Sequence, residues 1–150
     1  MKEIESCFLK VKKDYLRLLG KEKIFNKSKK IVSLKKDYIP MSFWIEEKYK
    51  KKGETLFLGL SGGQGSGKTT VTAILKIILE KFFKRKVYAI SIDDFYKTLK
   101  TRNQMSRTIH PLFKTRGVPG THDTNLIKNF FAFIKKKILK NLNYQDLINQ

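Results

Sequence analysis

Glycines, a lysine and two threonines stand in residues 62–70 at the spacing that phosphate chemistry needs. Gly62, Gly67, Lys68 and Thr69 fit the pattern G-x-x-x-x-G-K-[ST], with Gly63, Gln64, Gly65 and Ser66 between the two fixed glycines and Thr70 following. Glycine takes φ values that other residues resist, so successive N–H groups in such a loop can turn toward one anion. Lys68 supplies a compact positive charge for β- and γ-phosphates, and the Thr69 hydroxyl is of the kind that ligates Mg²⁺. Nucleoside triphosphate binding is the reading. The plain alternative is a glycine-rich turn ahead of a surface helix.

Two further groups of residues carry chemistry. Asp93 and Asp94, followed by Phe95 and Tyr96, put paired carboxylates after an apolar run. A carboxylate there can take a proton or hold Mg²⁺, and Asp94 can equally cap the next helix. Farther on, Arg116–Asp123 is a turn-rich loop in which Gly117 and Gly120 flank Pro119 and Thr121, His122 and Asp123 stand side by side. Spacing alone weighs loop function against capping evenly for Asp123, because an apolar helical face of Ile127, Phe130, Phe131, Ile134 and Ile138 follows it.

These residues need elements to position them. Leu56–Leu60 is an apolar run of strand length, and Val71, Ile74, Leu75, Ile78, Leu79 and Phe82 recur at helical spacing up to about Lys84. Val87–Ile92 reads as a second strand. A strand, helix and parallel strand in succession put both strand ends on one side of a sheet, which sets Asp93 and Asp94 on the rim of the phosphate loop. The expected fold is therefore α/β, a parallel sheet flanked by helices. Ahead of it, residues 1–53 read as a basic helical extension to a domain of residues 54–150. Ile4, Phe8, Val11, Tyr15 and Leu18 mark a helix over residues 1–19 that Gly20 can close. Pro40 marks a break, Phe43–Tyr49 offers a turn or two of helix with Trp44 and Ile45 as packing anchors, and Lys50–Gly53 reads as a solvated link. Residues 97–115 are polar and basic without a periodic pattern, and Thr124–Leu139 reads as helix.

Composition narrows the partners. The 150 residues carry 33 Lys and Arg against 13 Asp and Glu, a net charge of +20. Such charge attracts anions. Only five of the basic residues are Arg, the side chain favoured for base edges and bidentate phosphate contacts, and the lysines are spread along the whole chain. That argues against nucleic acid as the partner. A lone cysteine, Cys7, excludes a disulfide framework within the chain and suits a reducing compartment. No apolar run has the length to span a bilayer, and the first twenty residues lack the apolar core of a signal peptide, so a cytoplasmic protein without a membrane partner is expected.

In this order, Gly59–Thr70, Ser91–Tyr96 and Arg116–Asp123 resemble the D-glycerate 3-kinase family, which groups with the uridine kinase, pantothenate kinase and phosphoribulokinase enzymes. Tyr38–Ile45 is similar to that family's entry into its N-terminal helix, and the likeness covers about residues 38–140. The resemblance implies the phosphate-loop kinase fold, ATP and Mg²⁺ as cofactors, and transfer of a γ-phosphoryl group to a hydroxyl of D-glycerate or a similar small acceptor. It implies that Gly62–Thr70 hold the ATP phosphates, with Lys68 on the transferring group and Thr69 on Mg²⁺. Asp93 would receive the acceptor's proton and stand near the metal, while Asp94, Tyr96, Arg116, His122 and Asp123 would line the acceptor pocket. Family members continue past the equivalent of Gln150, and nothing after Asp123 reads as the strand that lies between the other two in that fold. The chain is therefore expected to be the N-terminal portion of such a kinase, with a C-terminal half on the same or another chain. A related nucleoside, sugar or pantothenate-type kinase and a non-catalytic nucleotide-binding fragment are the alternatives.

Overall fold

The computed structural model describes residues 2–21 and 27–137. The chain divides into two compact units, Met1–Ala89 and Ile90–Gln150. Apart from one isolated bridge in the second, regular structure among the described residues is helical.

In the first unit, α1 (Lys2–Lys21) buries Phe8, Val11, Tyr15 and Leu19, with Cys7 beside them. The expected apolar stripe is there, with Leu19 rather than Leu18 as its deepest leucine. The helix runs through Gly20 rather than ending on it. The Tyr15 hydroxyl donates to the Lys30 carbonyl at 2.8 Å, and burial, with Tyr38 nearby, pushes it up to about 12. Burial likewise pushes the Cys7 thiol up to about 11.

Pro40 does not break the chain. The helix α2 (Lys27–Ser33), a π-helical turn (Leu34–Tyr38) and α3 (Ile39–Lys52) follow one another directly. A proline inside an α-helix lacks a donor and drives its ring against the carbonyl four residues back. Here the wider turn takes up that conflict: the Ile39 N–H reaches the Leu34 carbonyl, five residues back, and Pro40 falls in the first turn of α3. Along α3, Ile45 is buried but Trp44 is 50% exposed, so only one of the two expected anchors packs. Lys50–Lys52 form the last turn of α3 rather than a link, where cations suit the negative end of the helix dipole. Gly53, at φ +70°, closes it by donating to the Tyr49 carbonyl at 3.1 Å.

The helix after the glycine loop, α4, spans Lys68–Lys81 and stops short of Lys84. Lys84 itself turns left-handed at φ +59°, and the Arg85 N–H closes back on the Leu79 carbonyl at 3.0 Å. Ile74 and Ile78 of α4 pack with Val11, Tyr15 and Leu19 of α1 and with Leu34 and Ile39 in one core. Each such side chain contributes about 1.5–3 kcal/mol by leaving water. A second cluster joins Ile45 of α3 to Leu75 and Leu79 of α4, with Leu56, Val71 and Val87 against it. Both segments expected as strands therefore rest one residue on the same patch. Among the described residues neither forms a strand ladder, and Phe57, Leu58 and Leu60 are exposed.

The extension is fastened by charge as well, to the turn that follows α4. The Glu46 carboxylate, 5% exposed, accepts from Arg85 Nε at 2.9 Å and from Arg85 Nη2, with Lys50 Nζ at 3.6 Å. The Arg85 guanidinium also lies 4.6 Å from the Tyr49 ring centroid. Hydrogen bonding from Arg85 holds the Glu46 carboxyl below its usual range.

In the second unit, a 3-10 turn (Ile92–Phe95) begins on the last residue of the expected second strand. Two elements follow where the sequence shows no period: α5 (Leu99–Thr108), capped by the Thr98 hydroxyl on the Thr101 N–H, and a 3-10 turn at Pro111–Lys114. The last helix, α6 (Thr124–Lys137), packs Phe130 edge-on against Phe95, 5.2 Å between centroids. Residues 138 and 139, expected in the same helix, lie outside the described residues.

Candidate functional site

The Gly62–Gly67 loop of the first unit is built by its main chain. Gly65 and Gly67 sit at φ +75° and +82°, where a side chain would cost about 1–2 kcal/mol. Between them the Ser66 N–H turns back to the Gly63 carbonyl at 3.3 Å. A Cβ on Gly62 would stand 2.8 Å from Ser66 Oγ, which would have to turn away. Lys68 folds under the loop and donates from Nζ to the Gly62 carbonyl at 2.6 Å and the Gly63 carbonyl at 2.7 Å. Gly67 is the N-cap of α4 and offers no side-chain acceptor to the first-turn N–H groups. Residues 61–67 are exposed, Thr69 is exposed and Thr70 half-buried.

This cradle fits a polyphosphate. Its lysine is already drawn to the loop's centre, Gly65 and Gly67 hold left-handed backbone that side chains resist, and its helix end carries positive partial charge. Thr69, on the first turn, has the hydroxyl that Mg²⁺ bound to phosphates takes as a protein ligand. Among the described residues no group of three or more His, Cys, Asp or Glu could hold a metal ion by itself. A separate shallow cavity of about 430 Å³, between Trp44, Lys48 and Leu56–Leu58, contains none of the phosphate-loop residues.

The second unit sorts the other candidates into two kinds. Asp94 serves its own turn: its Oδ2 accepts from the Ser91 N–H at 3.0 Å, while Ser91 Oγ accepts from the Asp93 N–H at 3.2 Å. This capping arrangement leaves Asp93 exposed. Asp123 caps α6, its Oδ1 accepting from the N–H groups of Asn125 at 3.1 Å and Leu126 at 2.9 Å. The remaining three come together. Tyr96 and His122 form the isolated antiparallel bridge, and their rings stack 4.0 Å apart at 25°. The Arg116 guanidinium lies 5.4 Å from the Tyr96 ring centroid.

Sequence reasoning missed two residues that hold this arrangement. Ser91 is the true N-cap of the Asp93 turn, and the pattern Ser-x-x-Asp was its available signal. Arg102, 7% exposed, donates from Nε to the Lys97 carbonyl at 3.1 Å and from Nη1 to the Lys114 carbonyl. It thereby ties together the two ends of the segment between Tyr96 and Arg116. Its only signal was an arginine on the inward face of a helix that the sequence did not announce.

The chain is 36% identical over 95 residues to an uncharacterized kinase, mug58, of Schizosaccharomyces pombe, covering 61% of this chain and 34% of that protein. It is 34% identical over 100 residues to the chloroplastic D-glycerate 3-kinase of Arabidopsis thaliana, covering 59% and 22%. It is 42% identical over 79 residues to the probable ATP-dependent kinase TDA10 of Saccharomyces cerevisiae, covering 49% and 27%. Over that stretch the chain resembles the D-glycerate 3-kinase family. It spans about a third or less of the length of these relatives. No protein-family model and no solved structure matches it.

Proposed function

We propose that this chain carries the phosphate-binding and acceptor-binding parts of an ATP-dependent small-molecule kinase. Phosphoryl transfer goes to a hydroxyl of a small hydroxy acid, D-glycerate first among them, on a phosphate-loop fold whose parallel sheet includes Leu56–Leu60 and the segment leading to Asp93. The observation that carries the reading is Lys68 drawn onto the Gly62 and Gly63 carbonyls beneath an exposed glycine loop at the head of α4. The likeness to three proteins named as kinases supports it independently.

Mg²⁺·ATP supplies the phosphoryl group and much of the charge neutralisation. The chain's own residues do the rest. Loop N–H groups and Lys68 would hold the phosphates, and the Thr69 hydroxyl would be the ligand offered to the metal. Asp93 accepts the proton of the acceptor hydroxyl, and Arg116 pairs with the acceptor carboxylate through a guanidinium fork. Such catalysis rests on positioning and electrostatics more than on covalent chemistry. The setting is cytoplasmic, in keeping with a single reduced cysteine.

The test is a thermal melt of the chain with and without Mg²⁺·ATP, followed by ADP release with D-glycerate and an acceptor panel. Saturation at about a hundred times Kd adds about 2.7 kcal/mol, enough to raise the melting temperature by several degrees. A transition indifferent to ATP would sink the reading. ATP binding with turnover of nucleosides or pantothenate but not hydroxy acids would move the acceptor assignment.

A further inference from the structure

Tyr96, Arg116 and His122 all belong to one loop cluster, but the structure does not give them equal roles. The Tyr96 and His122 rings are held by main chain on both sides. The Lys97 N–H donates to the Thr121 carbonyl at 2.8 Å and the Asp123 N–H to the Phe95 carbonyl at 2.7 Å. Thr121 between them is fully buried, its hydroxyl donating to the Val118 carbonyl. The rings are thus fixed face to face by their backbone. His122 Nε2 is screened from solvent and has no hydrogen-bond partner among the described residues. Arg116 is the reverse case: exposed, followed by left-handed Gly117 at φ +92°, and resting its guanidinium by the Tyr96 ring.

We propose that Tyr96 and His122 are positioning residues, a stacked platform that holds the Arg116 guanidinium ready for the acceptor's carboxylate. This rests on the kinase reading above and deepens it: the platform makes the enzyme select an anionic hydroxy acid over a neutral polyol. A guanidinium lying by an aromatic face keeps its N–H edge for a bidentate carboxylate. Holding it there beforehand removes rotamer freedom that binding would otherwise have to freeze. The Tyr96 hydroxyl has no part in this. The requirement is for a ring at 96, stacked on a ring at 122.

Steady-state kinetics on the full chain with D-glycerate and with glycerol, its carboxylate-free counterpart, test the idea. Tyr96→Leu is expected to raise the KM for D-glycerate by about tenfold and to lower the preference for D-glycerate over glycerol by about the same factor. Tyr96→Phe restores both, because the ring returns without the hydroxyl. Equal damage in Tyr96→Phe and Tyr96→Leu would overturn the platform in favour of direct contact by the phenol. An unchanged preference in Tyr96→Leu would overturn it outright. Should the parent chain phosphorylate neither acceptor, the kinase reading fails by itself, and the platform is read by NMR. The chain has two histidines, so the His122 ring protons are distinguished from those of His110 by one substitution, His110→Gln. Ring-current shifts on His122 and on the Arg116 side chain, present in the parent and in Tyr96→Phe and absent in Tyr96→Leu, support the platform. Unshifted signals in the parent overturn it.

Discussion

The Gly62–Gly67 loop and the Arg116–Asp123 loop are both rich in glycine, yet they differ in what they leave fixed. In the first, the fixed parts are main chain: left-handed Gly65 and Gly67, a turn from Ser66 to Gly63, and Lys68 fastened to two carbonyls, with the side chains between them left to solvent. In the second, main-chain bonds at Lys97 and Asp123 set side chains in place: two stacked rings, a buried threonine, an aspartate cap and an arginine tying the flanks together. A loop that grips an anion with N–H groups depends on φ. A loop that recognises an acceptor with side chains must first immobilise those side chains by packing, and packing draws on distant parts of the sequence.

The comparison can be broken most sharply at Asp93, which should divide turnover from nucleotide binding. Asp93→Asn is expected to lower the rate of phosphoryl transfer by about a hundredfold or more while ATP affinity stays near that of the parent. Equal rates in the two proteins remove Asp93 from the mechanism. Next in size, Lys68→Ala should weaken Mg²⁺·ATP binding by about tenfold, or about 1.4 kcal/mol, read by titration calorimetry. It loses a phosphate contact and the loop's internal fastening together. Unaltered affinity would undo the phosphate-loop assignment.

A paired substitution sharpens the contrast. Gly65→Ala and Gly120→Ala both force a side chain into left-handed backbone, φ +75° and +91°, at about 1–2 kcal/mol each. The added Cβ at Gly120 also stands 3.2 Å from the Phe113 ring. The first should raise the KM for ATP and the second the KM for D-glycerate. Crossed effects would show that the two loops do not divide the work.

The smallest effect concerns acid. Glu46 is held below its ordinary 4.5 by Arg85, so the folded protein binds fewer protons there than the unfolded chain. The stability it contributes is fully present above pH 4.5 and is lost as pH falls below it. Melting temperatures at pH 7 and pH 4 should therefore differ less in Glu46→Gln than in the parent. An identical difference in both proteins excludes the Glu46–Arg85 pair as a source of acid sensitivity.

Legibility from sequence followed the same division. The glycine loop, α1, α4 and α6 can be read from spacing, because glycine pattern and apolar period are local signals. Pro40 misleads, because the π turn that accommodates it shows only in hydrogen bonds five residues apart. Trp44 misleads, since its neighbour Ile45 takes the buried side of α3. The helix α5 is missed because its inward residue is Arg102, a charged side chain satisfied by two carbonyls that the sequence does not place nearby. Of the acceptor candidates, motif order singles out Tyr96, Arg116 and His122, whereas the stacking that relates them lies in tertiary contact. Asp94 and Asp123 show that a carboxylate before a helix has a local use first.

Cys7 gives the first unit a built-in clock. It is the only cysteine of the chain, fully buried against α4, with a thiol pushed up to about 11. At neutral pH almost none of it is thiolate, and no reagent reaches it while the core is closed. Alkylation of this one sulfur therefore counts openings of the packing between α1 and α4. Nucleotide bound at the head of α4 should slow that count, whether or not any phosphate is ever transferred.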